Sequence, residues 1–99
     1  MASNIVATAF EFNYAVVNVA DDSTTVSTKQ SIIRGVYINT ILSGQALPIK
    51  DGANTVFTVP ASAAAGTYYN FGDAVFNSGI VVDPDNAATG NITVVYKTV

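Results

Sequence analysis

Apolar and polar residues alternate over much of this chain, which is the pattern of β-strands that bury one face. The clearest example is the stretch 44–60, GQALPIKDGANTVFTVP. Leu47 and Ile49 are two residues apart before the polar segment KDGAN, and Phe57 and Val59 are two residues apart after it. Two alternating arms around a turn that contains glycine predict a β-hairpin. We expect these four apolar side chains to be buried and the KDGAN tip to project from one end.

The same pattern predicts short strands on both sides of this hairpin. They are expected within residues 3–20, 24–29, 32–39, 67–71, 74–77, 79–83 and 91–99. Gly72 and Asp73 are expected to separate two of these strands. The alanine-rich segment 61–66 is expected to form one helical turn at most, because short helices are marginal alone.

Two of these strands carry irregular patterns. In residues 3–20 the aromatic residues share one parity, whereas Val17 and Val19 fall on the other, which predicts a bulge or a strand break near residues 15–17. Residues 32–39 are apolar on both parities, so we expect burial on both faces, by the sheet and by a partner or a loop. Gly35 inside that strand predicts a bulge or a close backbone contact.

Short strands between turn residues, at roughly the 8–12-residue spacing of all-β proteins, are typical of sandwiches and barrels. No segment shows a sustained helical period, and a chain of 99 residues is the size of one domain. The sequence therefore predicts an all-β fold, an antiparallel β-sandwich of jelly-roll type, as a single domain spanning residues 1–99.

Charge is scarce in this sequence. Charged residues make up 11% of the chain, apolar residues 49%, and the net charge is −3 with four cationic side chains. Such a chain lacks the cationic footprint that nucleic acids and anionic membranes require, so neither is expected as a partner. No apolar run is long enough for a membrane helix, and the N-terminal residues lack the pattern of a signal peptide. The polar surface must come from uncharged residues or be replaced by contacts with another protein chain.

The residue types present argue against most enzymes. The chain contains no histidine and no cysteine, so neither a Ser-His-Asp nor a Cys-His arrangement can be built. Glycosidases need two carboxyl groups, and Glu11, which is the one glutamate, is expected to face solvent between Phe10 and Phe12. A pair of aspartates from distant strands stays open. We predict that the protein is not an enzyme and uses no cofactor.

The sequence DPDN, residues 83–86, is the best candidate for a cation site. Asp83, Asp85 and Asn86 could supply some of the six to eight oxygen ligands that Ca²⁺ takes. The segment lacks the glycine and the closing glutamate of a calcium loop. Because Asp and Asn also initiate turns for backbone reasons, we predict a turn and no metal ligand.

The candidate functional residues are therefore those expected at contacts with other subunits. Arg34 lies in an otherwise apolar strand, where we expect it to pair with an aspartate across a subunit contact. Tyr68 is expected at an edge or interface, whereas Tyr69 and Phe71 are expected to fill the core. The full set of predicted interface residues is Arg34, Lys50, Asp51, Asn54 and Tyr68.

From Ile33 onward the chain resembles small virion proteins of tailed bacteriophages. The resemblance lies in the segments RGVYINT, ALPIKDGANTVFTVPASAAAGT and YNFGDAVFNSGIVVDPDNAATGNITVVYK, and residues 1–31 contribute little to it. It implies a compact β-sandwich that is made in the host cytoplasm and located on the capsid surface. Decoration (cement) proteins of this kind bind the assembled lattice of the major capsid protein and stabilise it, often as homotrimers.

A second function stays open beside this one. Virion proteins of this type are found on heads or fibres, so the resemblance also allows a receptor- or glycan-binding module of a phage head fibre or tail fibre. Sugars stack on aromatic rings, so Tyr68, Tyr69 and the DPDN segment would then lie at one binding face.

Overall fold

Eight β-strands make up the regular structure of the part of the chain that the computed structural model describes, residues 12–99. In chain order they are β1 Asn13–Asn18, β2 Thr24–Ser27, β3 Ser31–Thr40, β4 Leu47–Asp51, β5 Asn54–Val59, β6 Tyr68–Phe76, β7 Ile80–Val82 and β8 Asn91–Thr98. Phe10 and Glu11, for which we predicted a strand face and a solvent-facing carboxylate, lie outside the described residues.

The strands form two antiparallel sheets of four strands each. The first sheet has the order β1-β8-β3-β6, and the second has the order β2-β7-β4-β5. Strand β1 pairs with β8, β2 with β7, β3 with β6 and β4 with β5. The chain therefore runs out along β1–β4 and returns along β5–β8 as one long hairpin wrapped around a core. The predicted antiparallel β-sandwich is confirmed, and this strand order is that of a jelly roll.

The hairpin predicted at 44–60 is the tip of this long hairpin. Strands β4 and β5 pair directly, and Gly52 has a φ of 60° in the turn between them. Leu47, Ile49 and Val59 are fully buried, as expected. The expected burial of Phe57 is wrong, since its side chain is 36% exposed. The reason is that β5 is an edge strand of its sheet, with no neighbour on one side.

A bulge in β3 explains the two-faced pattern of its sequence. The pairing of β3 with both of its neighbours shifts register between Ile33 and Gly35, as Gly35 predicts. The extra residue switches the parity, so Ile33 and Val36 both face the core and are buried. The inner face of β3 is buried, whereas Arg34 and Tyr37 on its outer face are exposed within the chain, so burial of that face by a partner stays a prediction.

Two further local predictions are corrected by the fold. Strand β1 pairs with β8 without a shift, so the bulge expected at residues 15–17 is absent and both faces of β1 carry apolar residues. The two strands expected at 67–71 and 74–77 are one strand, β6, because Gly72 and Asp73 form an irregularity within it at φ values of 63° and 58°. Residues 61–66 form turns and no helix, which agrees with the expectation of one helical turn at most.

The core lies between the inner faces of the two sheets. Its largest fully buried side chains are Phe76, Ile33, Ile38, Leu47, Ile49, Ile80, Ile92, Val19, Val36, Val59, Val82 and Val94. The Ser31 hydroxyl is also buried, and it donates to the carbonyl of Lys29 at 2.8 Å. This bond offsets the cost of removing a hydroxyl from water.

Phe76 and Val75 offer a matched test of this core, because they are adjacent residues on opposite faces of β6. Phe76 is fully buried, whereas Val75 is 52% exposed. Replacing Phe76 by Ala should lower the free energy of unfolding by about 3–5 kcal/mol through lost burial and a residual cavity. Val75→Ala should cost less than about 1 kcal/mol. Urea unfolding of the two variants measures both values, and equal losses would contradict the assignment of the faces.

Candidate functional site

The outer face of the first sheet carries exposed apolar side chains, where a sandwich commonly presents polar ones to water. We call it the tyrosine face, and its exposed members are Tyr14, Val16, Tyr37, Tyr68 and Val75. Val16 pairs with Thr93, Thr93 with Tyr37, and Tyr37 with Tyr68, so one row crosses all four strands. One row of the tyrosine face thus spans the full width of the sheet, with Thr93 as its polar member.

Gly35 seats the Tyr68 ring against this sheet. A Cβ atom at position 35 would overlap the ring, so only glycine leaves room for it. The Tyr68 hydroxyl donates to the carbonyl oxygen of Arg34 at 3.2 Å, and the ring centroid lies 4.4 Å from that of Tyr37. These contacts hold the ring in one position while leaving part of it exposed.

Arg34 and Asp73 form a bidentate ion pair on the same face. Arg34 Nε donates to Asp73 Oδ1 at 3.0 Å, and Nη2 donates to Oδ2 at 3.1 Å. The hydrogen bond from Arg34 lowers the pKa of the Asp73 carboxyl, and the same bond raises the pKa of the guanidinium. The Phe12 ring covers the other side of the guanidinium, with its centroid 3.9 Å from Cζ. The carboxylate that neutralises Arg34 thus belongs to its own chain, and not to another subunit as we expected.

Lys50 and Asp51 are engaged within their own chain. Lys50 Nζ donates to Asp83 Oδ2 at 2.6 Å, and Asp51 accepts hydrogen bonds from the backbone N–H groups of Asn77 and Ser78 at 3.1 and 2.7 Å. These contacts join the end of β4 to the turn between β6 and β7 and to the segment after β7. Both residues belong to a strand and are half-buried, so they do not form a projecting tip.

The five predicted interface residues therefore fall into two groups. Arg34 and Tyr68 come together on the tyrosine face. Lys50 and Asp51 lie in the second sheet with Asn54, which is exposed at the start of β5. The sequence shows no sign of this separation, because the sheet to which a strand belongs depends on pairings far apart in the chain.

A second apolar surface was missed in the sequence. An open groove of about 290 Å³ lies between the edge strands β5 and β6, and we call it the β5–β6 groove. Its lining is Val56, Phe57, Tyr69, Asn70, Phe71 and Ala74. The Phe57 ring centroid lies 5.5 Å from those of Tyr69 and Phe71. The sequence signal is the adjacent apolar pair Val56-Phe57. The pairing of β4 with β5 shifts register at this point, and both side chains stay partly exposed.

The groove and the tyrosine face lie on opposite sides of β6. Tyr68 and Tyr69 are consecutive, so one points outward and the other into the groove. A single binding face that holds both tyrosines is therefore not formed.

The DPDN segment has the geometry of a turn. The backbone N–H of Ala87 donates to Asp85 Oδ1 at 2.9 Å, while Asp83 is paired with Lys50. Within residues 12–99, no three His, Cys, Asp or Glu side chains cluster as metal ligands would. The same residues include no helix of the length and apolar character needed to cross a membrane.

The contact between Gly35 and Tyr68 can be tested with a double-mutant cycle. Gly35→Ala should lower the free energy of unfolding by about 1–3 kcal/mol, because the methyl group displaces the ring. In a Tyr68→Ala background the same substitution should cost markedly less, since nothing is left to displace. Thermal or urea unfolding of the three variants gives the coupling energy, and additive losses would contradict the contact.

The ion pair predicts a defined pH dependence. Because Arg34 lowers the pKa of Asp73, the stabilisation is present above the ordinary carboxyl range and is lost as pH falls through the lowered pKa. Arg34→Gln should raise the pKa of the Asp73 carboxyl toward its ordinary value, as measured by NMR titration. Arg34→Lys, which keeps the charge but loses the bidentate geometry, should give an intermediate value. An unchanged titration in Arg34→Gln would contradict the pair.

Comparisons with known proteins give this chain no relative. No protein-family model, no curated protein and no solved structure matches it. The chemistry of the two exposed apolar surfaces therefore carries the functional argument.

Proposed function

We propose that this chain is a non-enzymatic structural protein of a tailed-phage virion. In this proposal it is a decoration protein that forms a homotrimer. It binds the assembled lattice of the major capsid protein on the capsid surface and stabilises that lattice. The observation that carries the proposal is the tyrosine face, whose exposed tyrosines and valines lie in and beside a row that crosses all four strands of a sheet.

The tyrosine face has the composition of a protein–protein contact. Large exposed apolar patches mark interaction sites, and tyrosine is enriched at interface cores. Tyr14 is 72% exposed and Val16 is 59% exposed, although both lie within a regular strand. With 11% charged residues in the chain, few charges are available to solvate such a surface. A protein partner that covers the face accounts for both the exposed apolar side chains and the scarcity of charge.

The face is also held in a fixed shape, which suits repeated docking. Gly35 fixes the Tyr68 ring, and the bidentate Arg34–Asp73 pair joins β3 to β6 beside it. A rigid face loses little side-chain entropy on binding. On a lattice, modest affinity at each site is multiplied by many simultaneous contacts.

The fold supports the proposal by analogy only. Jelly rolls occur in viral capsid proteins and also in lectin domains, so the topology is compatible with both candidate functions. The glycan-binding alternative is favoured by one observation, the pair of partly exposed rings Tyr37 and Tyr68 on the same face. The width of the row, which crosses all four strands of the sheet, favours a protein partner over a sugar.

A capsid-binding experiment with two matched variants tests the proposal. Purified protein is added to expanded capsids of the phage that encodes it, and bound copies and heat resistance are measured. The wild type should bind near-stoichiometrically and raise the resistance of the capsids to heat. Val16→Glu should weaken binding by at least about tenfold, because a buried unpaired charge is costly. Thr25→Glu, at an exposed position of the edge strand β2, should leave binding unchanged.

Three outcomes would contradict the proposal at different points. A wild type without affinity for capsids would overturn the decoration role. Unchanged binding by Val16→Glu would remove the tyrosine face from the contact. A single species near the 10.3 kDa monomer mass in light scattering would exclude the free trimer. Binding to host cells or lipopolysaccharide that Tyr68→Ala weakens, without capsid binding, would favour the fibre module.

A further inference from the structure

We infer that strand β1 pairs with β1 of a second copy of this chain, in an antiparallel arrangement about a two-fold axis. The pairing itself stands on the geometry of the β1 edge. Its place on a capsid lattice, between one trimer and the next, rests on the proposed function.

The open edge of β1 is regular and unguarded. Each sheet ends in two edge strands, β1 and β6 in the first sheet and β2 and β5 in the second. The pairings of β2, β5 and β6 with their neighbours shift register, whereas β1 pairs with β8 over its whole length without a shift. Natural proteins guard edge strands with charges, prolines or bulges. The residues of β1, NYAVVN, supply none of these.

The backbone groups that point to this edge belong to Tyr14 and Val16. The N–H of Val19 donates to the carbonyl of Gly90 at 2.9 Å, which continues the register of β1 with β8 by one residue. Hydrogen-bonded pairs alternate along an antiparallel ladder, so the backbone of Val17 is also bonded to β8. Tyr14 and Val16 fall on the other parity, and their N–H and C=O groups therefore face outward.

A second β1 complements these groups and the side chains beside them. Tyr14 and Val16 are both exposed. When Ala15 lies on the two-fold axis, Tyr14 of each copy stands opposite Val16 of the other. Each such pair exchanges two backbone hydrogen bonds, so every outward group of the two residues is satisfied. Aromatic and β-branched residues also form favourable cross-strand pairs.

Charge favours a second copy at this edge. The chain has a net charge of −3, so two copies repel each other where their acidic residues meet. Strand β1 carries no charge and meets its own copy without repulsion. No strand within residues 12–99 pairs with this edge, and the Phe12 ring lies over the Arg34 guanidinium, on the sheet.

The symmetry of this pairing suits a lattice. Residues that pair directly across antiparallel strands have side chains on the same face, so the two-fold axis is perpendicular to the sheet. The tyrosine faces of both copies therefore point the same way and can meet one capsid surface together. A two-fold contact is distinct from the threefold contacts of the proposed trimer. On the capsid it would join neighbouring trimers.

The contact is small, which sets where it forms. A strand of six residues is about 20 Å long, and the strip along its edge is far smaller than the roughly 800 Å² per partner of a standard interface. We therefore expect the pairing in concentrated protein and on a lattice, where many contacts act together.

Disulfide trapping tests the pairing and its register, because the chain has no cysteine of its own. Ala15→Cys puts a sulfur beside the two-fold axis, where the paired Cα atoms lie about 4.5 Å apart, within disulfide range. Asn13→Cys, on the same parity of β1, would lie about 14 Å from its symmetry mate. Concentrated Ala15→Cys protein should oxidise to a covalent dimer, and Asn13→Cys protein should give little of it. Equal yields would overturn the inference.

Amide hydrogen exchange of the wild type tests the same contact without a substitution. The N–H groups of Val17 and Val19, which bond to β8, should exchange slowly at every protein concentration. Those of Tyr14 and Val16 should exchange fast in dilute protein and at least about tenfold more slowly in concentrated protein. Slow exchange of Tyr14 and Val16 in dilute protein would mean that their own chain covers the edge. That result, or fast exchange in concentrated protein, would overturn the inference.

The outcomes separate this inference from the proposed function. A wild type that binds capsids, with no covalent dimer from Ala15→Cys, would overturn the inference and leave the virion proposal standing. A covalent dimer from a protein that does not bind capsids would support the pairing and remove the decoration role.

Discussion

The bulge in β3 is the feature on which both the core and the exposed face depend. By inserting one residue between Ile33 and Gly35, it brings Ile33 and Val36 to the same side of the sheet. Without it, one half of this central strand would turn its apolar side chains to water, since a shift of one residue exchanges the two faces. The same insertion places Arg34 and Gly35 where they can hold Asp73 and Tyr68. Core packing and the shape of the tyrosine face therefore have one local cause.

Much of this fold could be predicted from the sequence, and the failures share a physical origin. The hairpin at 44–60 and the irregularity at Gly35 depend on local chemistry, and both were found. Whether Phe57 is buried depends on the position of β5 at the edge of its sheet. That position is set by strand pairings between residues far apart in the sequence. The sequence predicts a strand end at Gly72 and Asp73, but β6 continues through them. It does so with Asp73 at positive φ, which is an uncommon conformation for a residue other than glycine.

The candidate site was predicted only in part for the same reason. Residue type predicts Arg34 and Tyr68 as interface residues, and the two side chains do lie together on one face. Lys50 and Asp51 were chosen as parts of a turn, yet their partners are Asp83 and the backbone after β6. The groove could not be predicted from composition, because it exists only where edges of two different sheets lie side by side.

The wrapping of the chain has a consequence for its synthesis. Only β4 and β5 pair as neighbours along the sequence, whereas Asn13 pairs with Tyr96 near the end of the chain. At a synthesis rate of about 5–20 residues per second, β1 waits several seconds for its partner to leave the ribosome. Throughout that interval an uncharged strand with apolar residues on both faces is unpaired. During synthesis this strand is therefore exposed to pairing with other chains before its own partner is available.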